Sequence, residues 1–502
     1  LEHRYDDPDD EEEYNRETTL LDTYQNNLED SISDLTQELD LKTKHVVELL
    51  KDQDSYRDFK NRIRNISRGI EKSTKSLISD IESGFALLKN VKDAWWRAMT
   101  YREDVEGLDA SILMHAKVWE SSGHVAGFSD PMVEDKKTNE RYRLDQLLAE
   151  NGVDIAGLGM EDMMAKAIEV NLKSPKGNEL SEARQFNLMF KTFVGPLEDE
   201  SARIFLRPET AQGIFVNYLN VQSAMRQKLP FGIAQIGKAF RNEITTKNFL
   251  FRTREFEQME MQYFVAPGTQ DDHFEYWREE RWNWFRSIGL PEKKLSWHEH
   301  QGDELAHYAS AAFDIQYEFP FGPGEIEGIH NRSNFDLSQH EQYSGKKLQY
   351  FDEESREKFV PYVIETSIGA SRTTMACLVN AYHEEEVKGD TRVVMRFHPR
   401  MAPIKAAILP LVKRDGMPEI ARTITEDLRK HFRVEYDEGG AVGRRYRRMD
   451  EVGTPFCITV DSETLENDTV TVRDRDSMEQ QRVPIAELRT HLDKSMDAWE
   501  AV

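Results

Sequence analysis

The chain has 502 residues, of which 38% are hydrophobic and 31% charged. This length is too great for one ordinary hydrophobic core and predicts two or three domains. The 66 lysines and arginines against 92 aspartates and glutamates give a net charge of −26. This charge argues against indiscriminate nucleic-acid binding and leaves room for a local basic patch. No run of about 18 apolar residues occurs. Cys377 and Cys457 are too few for a four-cysteine zinc site. We therefore predict a cytoplasmic protein with no membrane span and no zinc.

Residues 1–88 are predicted to be mainly helical. Positions 6–13 are strongly acidic and most simply form a solvated tail. Leu21, Leu28 and Leu35 recur every seven residues, as on the apolar face of an amphipathic helix. Such a face could form a coiled coil, but the lack of a second clean apolar position favours packing within its own domain.

Residues 89–398 consist of short apolar and aromatic segments broken by glycine and proline. That pattern is typical of an α+β domain with an antiparallel sheet. Two segments, about 145–185 and 265–360, are predicted to be insertions into it. Gly322-Pro323-Gly324 is interpreted as a turn.

Residues 399–502 are predicted to form a compact α/β domain, because strand-like and helix-like segments alternate there. The predicted strands are 404–412, 456–460 and 469–473. Pro418 and Pro484 are each predicted to open a helix, since proline is favoured in a first helical turn.

No phosphate-loop, dinucleotide-binding or HExxH motif occurs, so the chemistry is sought in clusters of polar residues. The first cluster is a predicted pair of antiparallel strands, 232–240 and 256–262, joined by a basic loop. Arg241 can grip a phosphate through two hydrogen bonds, the Phe256 ring can stack on a base, and Glu260 can accept from an ammonium group. The alternative is a solvated sheet face held by salt bridges.

The second cluster lies in residues 362–372. Glu365 and Ser367 fall on one face of a predicted strand that ends at Gly369. A helix beginning there would direct backbone N–H groups and Arg372 at an anion.

The third cluster lies in residues 206–213. Pro208 is predicted at the first helical position and Glu209 in the first turn. On local grounds alone, Glu209 is no more than a carboxylate favoured by the helix dipole.

Together the three clusters resemble motifs 2 and 3 of the class II aminoacyl-tRNA synthetases, and longer strings resemble the homodimeric glycyl-tRNA synthetases. The resemblance runs from about Asn90 to the C-terminus. The strings that carry it are 107–111, 122–131, 207–215 and 452–456. It implies an α+β fold: a class II catalytic domain with an antiparallel sheet and helices, then a C-terminal α/β anticodon-binding domain.

The resemblance also implies a reaction and its partners. Glycine and ATP, with Mg²⁺ as part of the substrate, would give glycyl-adenylate, and glycine would pass to the 3′ end of tRNA(Gly). The implied ATP-binding residues are Arg241 on the α-phosphate, Glu243 and Phe256 at adenine, and Arg252 and Arg372 on the outer phosphates. Arg241, Glu243 and Arg372 are the implied catalytic residues.

The implied glycine pocket consists of Glu209, Glu260, Glu365 and Ser367, with Arg332 reaching in from the inserted segment. Its crowded carboxylates would accept the ammonium and leave no volume for a β-carbon, so no editing site is required. The implied tRNA-binding residues are Arg444, Arg445, Arg447 and Arg448, interleaved with Tyr446. A solvated loop is the alternative interpretation of this basic patch.

The N-terminal segment departs from the family. Members usually carry a Gly- and Tyr-rich stretch that leads into motif 1 and the dimer interface, and residues 79–88 do not show it. Ala116 stands where the family often has proline. An appended domain, a fusion or a divergent N-terminus would each fit residues 1–88.

The sequence also allows a function from another class, that of a non-catalytic synthetase relative that keeps the fold to bind nucleic acid as an accessory subunit. Such relatives typically lose parts of motifs 2 and 3. All the motif residues named above are present, which favours the enzyme.

Overall fold

The computed structural model describes residues 82–155, 158–302, 305 and 308–499. The chain divides into two units, residues 1–87 and 88–502. Of the first unit only residues 82–87 are described, and they are helical. The predicted acidic tail and leucine-rich helix therefore lie outside the described residues.

The second unit begins with the larger of its two domains. Its described strands are β1 (Val105–Gly107), β2 (Leu113–Met114), β3 (Ser129–Glu134), β4 (Arg141–Arg143), β5 (Arg184–Asn187), β6 (Lys191–Phe193), β7 (Arg203–Leu206), β8 (Phe231–Phe240), β9 (Glu255–Val265), β10 (Leu295–Glu299), β11 (Ala311–Phe319), β12 (Gly322–Ser333), β13 (Tyr350–Phe351), β14 (Lys358–Phe359), β15 (Tyr362–Gly369), β16 (Tyr382–Val387) and β17 (Asp390–Met395). Its described helices are α1 (88–100), α2 (Ala116–Ser121), α3 (His124–Gly127), α4 (Leu144–Glu150), α5 (Met160–Glu169), α6 (Ala211–Met225), α7 (Gln270–Ser287), α8 (Phe335–Ser344) and α9 (Ala370–Ala381).

A seven-stranded sheet forms the centre of this domain, in the order β1-β8-β9-β15-β12-β11-β10. β1 pairs with β8 in parallel, and every other pair in the sheet is antiparallel. The predicted antiparallel sheet and the predicted pairing of residues 232–240 with 256–262 are confirmed. Along β9 the apolar Met259 and Met261 are fully buried and alternate with Gln258, Glu260 and Gln262, so the strand has one apolar and one polar face.

The segment 265–360, predicted to be an insertion, contributes three strands to this sheet. β12 pairs directly with β15, and β11 and β10 extend the sheet beyond it. The prediction of a turn at Gly322–Gly324 is wrong, because Gly322 pairs with Phe319 and the chain reverses before it. Gly324 instead makes room for a ring: a β-carbon there would lie 2.8 Å from the Phe251 side chain.

A small subdomain covers residues 129–187 and contains the other predicted insertion. β3, β4 and β5 form a three-stranded antiparallel sheet. Helices α4 and α5 belong to the same subdomain. It has a core of its own, made by Val133, Leu144, Leu147, Leu148 and Leu172.

The C-terminal domain contains strands β18 (Ala406–Pro410), β19 (Val434–Tyr436), β20 (Phe456–Val460), β21 (Thr469–Asp474) and β22 (Gln480–Pro484), and helices α10 (Met417–Arg429), α11 (Val442–Val452), α12 (Thr464–Asn467) and α13 (Leu488–Asp497). The strands form one sheet in the order β19-β18-β20-β21-β22, parallel among the first three and antiparallel after them. The predicted α/β domain is confirmed. Pro418 lies in the first turn of α10 as predicted, but Pro484 ends β22, and α13 begins at Leu488 after a 3₁₀ turn.

Buried arginines join the two domains. Arg392 on β17 is fully buried and donates to Oδ2 of Asp450 on α11 at 2.8 Å. Arg475 donates to the backbone oxygen of Phe397 at 2.7 Å. A buried guanidinium requires such partners, so these bonds hold the C-terminal domain against the β16–β17 hairpin. None of the described helices has both the length and the apolar character needed to cross a bilayer.

Candidate active site

Arg241 lies just beyond β8, at the edge of the polar face of the sheet. Its Nε donates to the backbone oxygen of Pro208 at 3.1 Å, and its guanidinium carbon is 5.3 Å from the centre of the Phe256 ring. Among the described residues the Nη atoms of Arg241 make no hydrogen bond. The side chain is thus fixed by one nitrogen while two remain for a ligand.

Arg372 comes from the first turn of α9, directly after β15. Its Nε donates to the backbone oxygen of Phe251 at 3.0 Å, and its guanidinium lies 4.3 Å from the centre of the Phe251 ring. Nη1 of Arg372 is 3.0 Å from Oε2 of Glu325 on β12. These contacts place the end of β15, the loop between β8 and β9, and β12 around one space.

That space is a pocket with cationic, aromatic and carboxylate walls. Its lining includes Arg241, Glu243, Arg252, Phe256, Glu325, Ser367 and Arg372. The pocket therefore brings together every residue that the sequence assigned to ATP. It also includes Glu325, which the sequence analysis did not identify.

Glu243 and Arg252 face each other in this pocket at a longer distance. Nη1 of Arg252 is 3.9 Å from Oε2 of Glu243. Burial lowers the pKa of Arg252, and the charge of Glu243 opposes that shift. Oε2 of Glu243 is buried and has no hydrogen-bond partner among the described residues, so it is an acceptor suited to a ligand N–H group.

A second group of polar residues lies beside this pocket on the same sheet face. Across the ladder between β9 and β15, Glu260 is directly opposite Ser367, and Gln262 is directly opposite Glu365. Nε2 of Gln262 donates to Glu260 Oε1 at 2.9 Å and to Glu365 Oε2 at 2.6 Å. Both carboxyl groups are buried, and one amide group joins them.

Arg332 reaches this group from β12. Its Nη1 donates to Oε2 of Glu365 at 2.7 Å, and Nε and Nη2 bond both oxygens of Asp336 at 2.8 and 3.0 Å. The register between β12 and β15 shifts between Asn331 and Ser333, and a bulge of this kind re-aims a side chain. The segment 265–360, from which Arg332 was expected to reach in, places it on β12, a strand of the central sheet.

Glu209 reaches the same group from the segment before α6. The prediction that Pro208 and Glu209 lie in a helix is wrong, since α6 begins at Ala211. The backbone N–H of Thr210 donates to Oε2 of Glu260 at 3.2 Å, and the Thr210 hydroxyl donates to the same oxygen. These tertiary bonds hold the chain against β9 and outweigh the local preference of proline for a helix start.

Three carboxyl groups, those of Glu209, Glu260 and Glu365, make this second group of residues acidic, and we call the group the acidic pocket. Burial, with the charges of Glu365 and Glu209, raises the pKa of Glu260 well above its usual value. Burial alone would also raise the pKa of Glu365, but Arg332 and His330 hold it below its usual range. His124, with Nε2 3.4 Å from Oε2 of Glu209, lowers the pKa of Glu209 to about 2 in spite of burial. Such a pocket attracts an ammonium group.

Two family models match the chain. Residues 190–382 match the tRNA synthetase class II core domain (G, H, P, S and T), and residues 405–495 match the anticodon binding domain. The glycine–tRNA ligase of Treponema denticola is 54% identical over 412 residues, which cover 81% of this chain and 88% of that protein. The glycine–tRNA ligase of Chlorobaculum tepidum is 51% identical over 426 residues, covering 80% and 90%. The chain belongs to the glycine–tRNA ligase family. It is thus an aminoacyl-tRNA synthetase, as predicted, and not a non-catalytic relative.

In this family member the four arginines predicted to bind tRNA lie on helix α11 and not in a loop. Arg444 and Arg448 are exposed, and Arg447 is half-buried. Arg445 is buried, and its Nη1 donates to the backbone oxygens of Pro410 and Asp437 at 2.7 and 3.0 Å. Arg445 is therefore occupied in holding α11 to the domain and is not available to a nucleic acid.

Several residues of the synthetase site were not predicted from the sequence. Asp336 and His124 bond residues that were identified, and Glu325 lines the nucleotide pocket. Asp336 stands four residues after Arg332 and could have been suggested as its ion-pair partner. For Glu325 no sequence signal was available. Among the described residues there is also no group of three or more His, Cys, Asp or Glu side chains placed to hold a metal ion.

Proposed function

We propose that this chain forms glycyl-adenylate from glycine and Mg²⁺-ATP and then transfers the glycyl group to the 3′ end of tRNA(Gly). The main support for this proposal is the position of Ser367. It lines the nucleotide pocket and also lies directly opposite Glu260 of the acidic pocket. A glycine held by its ammonium in the acidic pocket would then present its carboxylate to the α-phosphate of ATP.

In the nucleotide pocket the fixed cations would stabilise charge on the phosphates. Arg241 would bind the α-phosphate, and Arg252 and Arg372 would bind the outer phosphates. Phe256 would stack on adenine, and the free acceptor of Glu243 would take an N–H of the base. A glycine carboxylate oxygen attacks the α-phosphorus and pyrophosphate leaves. Catalysis is then positioning and electrostatic stabilisation without a covalent protein intermediate.

Mg²⁺ would enter with ATP. Protein sites for this ion usually supply one or two carboxylates, and the substrate phosphates supply the other ligands. Glu325 is a carboxylate on the wall of the nucleotide pocket, beside Arg372. The residues present therefore fit the ion as a companion of the substrate.

In the acidic pocket Glu209, Glu260 and Glu365 would accept the ammonium group of glycine. Arg332 would keep Glu365 ionised and in place. Discrimination against larger amino acids would come from exclusion, because a crowded pocket rejects added atoms by steric conflict and by unpaired polar groups.

The remaining parts of the proposal concern assembly and tRNA. The outer side of α11, with the exposed Arg444 and Arg448 and the half-buried Arg447, would contact the anticodon arm. The active form would be a homodimer in the cytoplasm, where its tRNA is used. Residues 1–88 would be an added module.

The substitution Arg241→Ala tests the proposal. Loss of the α-phosphate contact should lower glycine-dependent ATP–pyrophosphate exchange about a hundredfold, the usual effect of removing one stabilising donor. Arg286→Ala is the matched control, since Arg286 is a half-exposed surface arginine of the same domain. A folded Arg241→Ala protein with exchange within about threefold of the control would refute the assignment.

A further inference from the structure

His330 lies on the polar face of β12, directly opposite Glu365 in the ladder with β15. Its Nδ1 is 2.9 Å from Oε1 of Glu365. His330 does not line the nucleotide pocket. Its ring is thus in contact with a carboxyl group of the acidic pocket without reaching the space for ATP.

The two oxygens of Glu365 have different donors. Oε2 accepts from Arg332 at 2.7 Å and from Gln262 at 2.6 Å, whereas Oε1 accepts from His330. The pKa of Glu365 is held low, so its ionised carboxylate only accepts hydrogen bonds. Nδ1 of His330 therefore bears the N–H that donates to Oε1, and within the described part of the chain this hydrogen bond holds the second oxygen.

The far edge of the His330 ring is also confined. Gly328, two residues earlier on β12, leaves the space: a β-carbon there would lie 3.3 Å from Nε2 of His330 and 3.5 Å from Oδ1 of Asp314. Oδ2 of Asp314 is in turn 2.9 Å from Nε2 of His300. The ring thus fits between Glu365 and Asp314, over a residue without a side chain.

We propose that His330 is a positioning residue for glycine: it holds Oε1 of Glu365 in the orientation that receives the ammonium group. This inference rests on the proposed role of Glu365. Without His330 the carboxylate keeps its charge and its bonds through Oε2, but Oε1 is free to rotate away. The consequence is weaker glycine binding with little change at ATP.

Three substitutions separate this role from general support of the fold. His330→Ala removes the donor. His330→Asn keeps an N–H near the position of Nδ1, and His330→Gln places one near the position of Nε2. In ATP–pyrophosphate exchange with the full chain, His330→Ala should raise the glycine KM about tenfold, as expected for one hydrogen bond to a charged group. The ATP KM should stay within about twofold.

The Asn and Gln variants decide whether the donor position matters. His330→Asn should recover a glycine KM within about threefold of wild type, and His330→Gln should not. The proposal is overturned by an unchanged glycine KM in a folded His330→Ala protein, by an equal rise in both KM values, or by Asn and Gln variants that behave alike. If His330→Ala does not fold, the comparison of the Asn and Gln variants still decides.

Failure here is distinguishable from failure of the proposed glycine pocket. If Glu365→Gln raises the glycine KM while His330→Ala does not, only the role of His330 is wrong. If Glu365→Gln also leaves the glycine KM unchanged, the pocket itself is wrong.

Discussion

Ser367 hydrogen-bonds Gln258: the Gln258 amide donates to the serine hydroxyl oxygen at 2.8 Å. Both residues line the nucleotide pocket. Each is two residues from a carboxylate of the acidic pocket on its own strand, Gln258 from Glu260 and Ser367 from Glu365. The backbone N–H of Thr210, which is bonded to Glu260, also donates to Oε1 of Gln258 at 3.2 Å. The two pockets therefore share a wall, and displacement of a side chain in that wall should affect both pockets.

Glu365→Gln should raise the glycine KM at least about tenfold and leave the ATP KM within about twofold. The substitution removes a charge that faces the ammonium, while Arg332 keeps its pair with Asp336. Steady-state exchange kinetics with each substrate varied in turn give both constants. Glu354→Gln, at an exposed position, is the control. Equal losses for both substrates would place Glu365 in the nucleotide site instead.

Glu260→Gln should stabilise the glycine-free protein at alkaline pH. The pKa of Glu260 is raised above its usual 4.5 by folding, so the unfolded chain ionises at lower pH than the folded protein. Folding stability due to this group is therefore present below the usual pKa and is lost as pH rises through the raised value. A glutamine does not titrate, so the Glu260→Gln protein does not lose this stability as pH rises.

The measurement is the melting temperature of Glu260→Gln minus that of wild type, without glycine, at acidic and alkaline pH. The difference should become more positive as pH rises. A difference that is constant, or that shrinks toward alkaline pH, would mean that Glu260 is ionised in the free protein. The same variant should lose glycine-dependent exchange, which separates stability from function.

Joint replacement of Arg444, Arg447 and Arg448 by alanine should weaken aminoacylation of tRNA and spare glycyl-adenylate formation. Activation requires no tRNA, so a loss confined to the second step indicates a nucleic-acid contact. The salt dependence of tRNA binding should also become less steep, since fewer phosphates are neutralised. Parallel loss of both half-reactions would mean instead that this surface supports the fold.

Arg445→Ala, by contrast, should destabilise the C-terminal domain. It leaves the buried backbone oxygen of Pro410 and the part-buried one of Asp437 without this donor. A buried unsatisfied group costs about 1–3 kcal/mol. Urea unfolding of this variant beside the triple variant measures the contrast. If the Arg445→Ala protein has wild-type stability but binds tRNA more weakly, Arg445 belongs to the tRNA-binding surface after all.

The sequence predicted those parts of the site that depend on local pattern. The alternation along β9 and β15 placed Glu260, Glu365 and Ser367 on their faces, and each is confirmed on a strand. Pairing between distant strands could not be predicted in the same way. β12 joins β15 through contacts between residues far apart in the chain, so nothing local showed that His330 and Glu325 belong beside the motif residues.

Tertiary contacts also overrode two local rules. Pro208 favours a helix start, but the bonds of Thr210 to β9 keep residues 208–210 out of α6. Nothing in the local sequence distinguishes Arg445 from the arginines beside it. Its burial depends on carbonyl groups of β18 and of the segment after β19, which come from other parts of the chain.

Glycine activation by this chain is tested most directly by ATP–pyrophosphate exchange of the full chain with Mg²⁺, with glycine, alanine or serine as the amino acid. The acidic pocket and the adjoining nucleotide pocket predict exchange that depends on glycine and is at least about a hundredfold slower with alanine or serine. Absence of glycine-dependent exchange in a folded protein, or equal rates with alanine, would show that the two pockets do not select and activate glycine.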